Sequence, residues 1–159
     1  KAGKTFVRRI VSMRGIEQVA LIGSLATEKS NPKDIDYLLT VSASLDIQAA
    51  ATAGRKLKGH LQGYASGADV FLCNQAQEYI GRTCNYRECH TRVACVGADC
   101  RPGSWLNTDF HLLKLEQSLC KNPPVILWPV QEMAVSVPED IRQMLEDLRT
   151  ELEKQGRVA

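Results

Sequence analysis

Asp34 and Asp36 stand two residues apart at the head of an apolar run, Asp34-Ile35-Asp36-Tyr37-Leu38-Leu39. In an extended strand, side chains two apart point to the same side. The two carboxylates then repel each other, and a divalent cation between them removes the repulsion. Oxygen-only ligands suit Mg²⁺ or Mn²⁺ rather than zinc. Taken alone, the pair reads as the solvated start of an edge strand. The residues upstream shift that balance. Val19 to Ile22 is a short apolar run that reads as a buried strand, ended by Gly23 and Ser24. Gly23 lets the backbone turn sharply and come close to a ligand. Ser24 is placed to cap a short helix over 26–29. Asn31-Pro32 then breaks the chain before the second strand.

Ile22-Gly23-Ser24, nine intervening residues, then Asp34-Ile35-Asp36 flanked by apolar residues resembles the signature of the nucleotidyltransferases of the DNA polymerase beta superfamily. The match covers the first half of the chain. The resemblance implies a third carboxylate on a later strand, inside an apolar run, and Asp69 in Ala68-Asp69-Val70-Phe71-Leu72 fits that place. It implies an α/β (α+β) nucleotidyltransferase fold, a small mixed β-sheet with helices packed on one face, here carrying a cysteine-rich insertion. It also implies an activity: Mg²⁺-dependent transfer of a nucleoside monophosphate from a nucleoside triphosphate (NTP) to a hydroxyl of a small molecule, a protein or an RNA end. Asp34, Asp36 and Asp69 would hold two Mg²⁺ (or Mn²⁺) ions, with Asp69 on the ion nearer the acceptor and assisting removal of its proton. Gly23 and Ser24 would bind phosphate oxygens, with Lys29 and Lys33 near in sequence. The same resemblance admits a catalytically inactive, nucleotide-binding regulatory module, a reading that the presence of all three carboxylates opposes.

A second chemical stretch runs over 81–103. Cys84, Cys89, Cys95 and Cys100 are separated by four, five and four residues, with His90 beside the second. Four thiolates in a stretch with little apolar content can hold a tetrahedral zinc that folds the loop. Two disulfides or four free thiols remain open alternatives, the disulfides requiring an oxidising compartment. Arg82, Arg87, Arg92 and Arg101 interleave with these cysteines; such arginines face a polyanion or, more often, solvent. A zinc-stabilised nucleic-acid-binding protein is therefore a third reading. The net charge of +2 and 6% aromatic content argue against it.

The remaining composition is that of an ordinary globular domain: 159 residues, 44% hydrophobic and 24% charged. No apolar run approaches the ~20 residues of a membrane helix, so the expected setting is cytoplasmic. The chain divides into a core over 1–80, the cysteine segment over 81–104 and a helical part over 105–159.

The elements that must position the acids follow from periodicity. Residues 4–14 predict an amphipathic helix with Phe6, Val7, Ile10 and Val11 inward, stopped by Gly15. Ser44 or Asp46 starts a second helix, with Ala49, Ala50, Ala53, Leu57 and Leu61 as its packing stripe, and His60 at its surface. A third strand runs from Ala68 to Cys73, with Cys73 a buried small hydrophobe. Asn107 or Thr108 caps a helix carrying Phe110, Leu112, Leu113, Leu115 and Leu119, with His111 packed among them and Cys120 in the core. Val125 to Trp128 reads as a short extended piece. Val137-Pro138-Glu139-Asp140 starts the last helix, whose stripe is Ile141, Met144, Leu145, Leu148 and Leu152. That helix packs on the domain or pairs with a second copy as a homodimer, and 155–159 are expected to fray.

Overall fold

A computed structural model describes residues 1–29, 32–64, 66–84, 105–107 and 116–157. Among these, the strands form one seven-stranded sheet in the order β5-β4-β3-β2-β1-β6-β7. The strands are β1 (Ile16–Ile22), β2 (Asp34–Val41), β3 (Gly67–Asn74), β4 (Tyr79–Thr83), β5 (Leu106–Asn107), β6 (Val125–Trp128) and β7 (Glu132–Met133). β2 and β3 run parallel, while the other neighbouring pairs are antiparallel. The helices are α1 (Ala2–Ile10), α2 (Ile47–Gln62), α3 (Ser118–Lys121) and α4 (Glu139–Lys154). The architecture is a mixed α/β sheet with helices. β4 crosses residue 80, so the sheet continues past the core boundary read from the sequence.

The pleat separates two apolar clusters. Leu21, Leu39, Val70 and Leu72 share one face with the buried residues of α1, α2 and α4. Ala20, Ile22, Leu38, Phe71 and Cys73 point the other way, toward Cys120 of α3. This alternation is what a period of two dictates. The expected packing of helices on one face therefore holds for α1, α2 and α4.

Several expectations meet their physical limits here. α1 ends at Ile10 rather than at residue 14. Met13 N–H bonds to Ile10 O at 2.9 Å, and the Ser12 hydroxyl takes Arg9 O at 2.7 Å, tightening the chain out of the helix. Gly15 then turns it at φ +87°, where a side chain would strike the Leu45 backbone. Asp46 caps α2, accepting from Ala49 N–H at 3.0 Å. Small residues on the buried side of α2, Ala50, Ala51, Ala53 and Gly54, let the helix lie close to β3.

Asn107 does not cap a helix; it pairs with Arg82 in the β4–β5 ladder. The rest of that expected helix, with Thr108 and His111, lies outside the described residues. Met144 is exposed although Ile141, Leu145, Leu148 and Leu152 are buried, so the packing stripe of α4 is narrower than expected. Nor does the tail fray throughout: the Trp128 indole donates to Arg157 O, and the Arg157 guanidinium donates to Arg8 O at 2.7 Å.

Candidate functional site

The parallel ladder sets Asp36 directly beside Asp69, and Asp34 beside Gly67. On its other side Asp36 pairs with Ile22, the last residue of β1 before Gly23. Three neighbouring strands thus bring the Gly23 bend, Asp36 and Asp69 into one row. Asp34 and Asp36 have the parity of Leu38, and Asp69 that of Phe71, so all three acids share the strand parity opposite the apolar residues that meet α1, α2 and α4, although Lys58 of α2 still reaches Asp69.

Gly23 adopts φ +71°, and a Cβ there would collide with the Asp36 carboxylate. Its lack of a side chain therefore makes room for Asp36 as well as for the bend. The helix expected over 26–29 is instead a 3₁₀ turn, Gly23–Ala26. Ser24 lies inside that turn and caps nothing with its side chain; its carbonyl accepts from the Thr27 hydroxyl at 2.8 Å. Lys29 and Lys33 are exposed.

Each acid has a different neighbourhood. Asp34 Oδ1 accepts from Gly67 N–H at 2.8 Å, where a Cβ on Gly67 would come within 2.5 Å of that oxygen. Asp69 Oδ1 lies 3.3 Å from the Arg82 guanidinium and 3.5 Å from the Lys58 ammonium. The Arg82 side chain is only 5% exposed, against 32% for Asp69. Arg82 therefore does not project into solvent, as most arginines of its segment were expected to. Asp36 has a raised proton affinity. Burial pushes its pKa from 3.8 up to about 6, helped by the negative charges of Asp69 and Asp34. The Asp69 backbone N–H bonded to it, and the more distant Lys58, pull the other way.

The acids are close enough to feel one another, yet their oxygens are aimed at separate partners. Accordingly, among the described residues no three His, Cys, Asp or Glu side chains are gathered tightly enough to hold a metal as they stand. The donor chemistry does suit a hard divalent cation. Three carboxylates share one face, and the middle one is destabilised as an anion by burial and then by its two acidic neighbours.

Of the four spaced cysteines, Cys84 is described. It is buried at the end of β4, and its N–H bonds to Trp105 O at 2.9 Å. Cys89, Cys95 and Cys100 lie outside the described residues, as does His90. Cys73 and Cys120 are buried, as expected.

The sequence gives neither Lys58, one of the cations along the outer side of the second helix, nor Arg82 a role at the site. Lys58 follows Leu57 on the packing stripe of α2, and Arg82 sits opposite Phe71 in the β3–β4 hairpin. A basic residue near an inward helix stripe was the available signal, but the hairpin register that aims Arg82 was not. Searches against protein-family models, curated proteins and solved structures find no match to this chain. Among the described residues no helix is long and apolar enough to cross a membrane.

Proposed function

We propose that the chain is a Mg²⁺-dependent nucleotidyltransferase, moving a nucleoside monophosphate from an NTP to a hydroxyl acceptor. The observation that carries this reading is the lateral pairing of Asp36 with Asp69 beside a bend that only a glycine can make. Asp34, Asp36 and Asp69 would be the ligands. Bound there, Mg²⁺ would neutralise the triphosphate and lower the pKa of the attacking hydroxyl. The residues do the rest. Asp36, half-buried and flanked by two carboxylates, gains most from a cation and so anchors the site. Asp69, with 32% of its side chain exposed on β3, faces the acceptor and takes its proton. Gly23 and Ser24 offer backbone amides to the phosphate oxygens, and Lys33, exposed beside Asp34, approaches them from solvent.

A second reading has its own observation. Lys58 and Arg82 already neutralise Asp69, which favours a module that binds nucleotide without turning it over. Each NTP, labelled at the α-phosphate and incubated with Mg²⁺ and candidate acceptors, tests the first reading. Label transferred by the wild type, and lost in Asp34→Ala and Asp36→Ala, supports catalysis. Nucleotide binding without transfer supports the module, and neither binding nor transfer removes both.

A further inference from the structure

We infer that the groove between α1 and α2 docks an acidic amphipathic helix of a partner protein. The groove has a volume of about 550 Å³. Ala2 and Leu61 form its accessible apolar floor over the buried Phe6, Ala53 and Leu57, and Arg9, Lys56 and His60 line its rim. No carboxylate lines it among the described residues. Arg9 and Lys56 are exposed and make no ion pair among the described residues. Tyr64 closes one end with 83% of its surface exposed. A large exposed aromatic beside uncompensated cations and an apolar floor is the makeup of a binding surface rather than of a solvated face.

The other flank of α1 shows what such chemistry accepts. There Lys4 pairs with Asp147 at 3.0 Å and Arg8 with Glu151 at 3.4 Å, both acids on α4. α4 lays Ile141, Leu145 and Leu148 beneath those pairs into the same apolar cluster as Phe6 and Val7. An acidic helix with an apolar stripe thus already packs against α1 on one side. On its other side α1 packs against α2, and Arg9 and Lys56 rise from either side of that seam without an acidic partner among the described residues. An amphipathic helix laying its apolar face in a hydrophobic groove is an established recognition mode, with anchors at i, i+3, i+4 and i+7, and acidic flanks would meet Arg9 and Lys56. Single-stranded nucleic acid fits less well, because it needs successive stacking platforms, and Tyr64 is the one exposed aromatic on the rim.

The probe is a fluorescein-labelled peptide of about 18 residues, long enough to hold a helix, with leucines at that spacing and glutamates elsewhere. Anisotropy with the full chain should rise to saturation. Arg9→Glu combined with Lys56→Glu should weaken binding at least ~10-fold, since both attractions become repulsions. Tyr64→Ala should weaken it independently. All three side chains are exposed, so unchanged thermal unfolding will show the variants folded. The inference is overturned if the double variant binds equally well, or if a lysine-for-glutamate peptide binds as tightly. It is also overturned if a single-stranded RNA oligonucleotide binds through these residues in place of the peptide, or if the same substitutions abolish self-association, making a second copy the occupant.

Discussion

Asp36→Asn should make the protein more stable while removing the proposed activity. Burial between two other acids holds the Asp36 pKa at about 6 instead of 3.8. At 1.36 kcal/mol per pH unit, keeping this carboxylate ionised costs at most about 3 kcal/mol of folding stability. Its partial exposure brings the figure below that ceiling. The sign follows from proton counting. Between pH ~4 and ~6 the native protein holds a proton that the unfolded chain has released, so wild-type stability falls as pH rises through that window. Asparagine keeps an oxygen to accept the Asp69 N–H and carries no charge. The variant should therefore match the wild type near pH 4 and exceed it by 1–3 kcal/mol, roughly, at pH 7.5 in EDTA. For a chain of this size that is a Tm rise of very roughly 2–12 °C. Urea or thermal unfolding at both pH values measures it. If Mg²⁺ binds as proposed, saturating Mg²⁺ should narrow the gap by stabilising the wild type alone. A variant equally or less stable at pH 7.5, or a gap that persists at pH 4, would refute the electrostatic reasoning.

Lys58 competes with any cation for Asp69, so Lys58→Met should tighten Mn²⁺ binding several-fold, as followed by the loss of the free Mn²⁺ paramagnetic signal; weaker binding would make Lys58 a support of the site. Gly23→Ala should cost about 2 kcal/mol or more, since it combines a left-handed φ with a collision against Asp36; a melting temperature within 1–2 °C of wild type, roughly, would contradict that geometry.

Local chemistry made much of the frame legible in the sequence. Apolar runs, the first two separated by Gly23 and Asn31-Pro32, marked β1, β2 and β3, because strand periodicity and turn residues act over a few positions. Asp46 announced α2 through a side-chain cap that needs only its own next three residues. That Asp34 and Asp36 share a side followed from the period of two. What the sequence alone could not settle was which side faces the helices, or what stands across from each acid. Both depend on how strands pair, which is decided by burying two apolar faces at once. The pairing of Asp36 with Asp69, the collision space at Gly23 and the clasp of Lys58 and Arg82 on Asp69 arise from residues 11 to 33 positions apart. Such contacts form only when loop-closure entropy is repaid by packing of the whole sheet, and no local pattern records them.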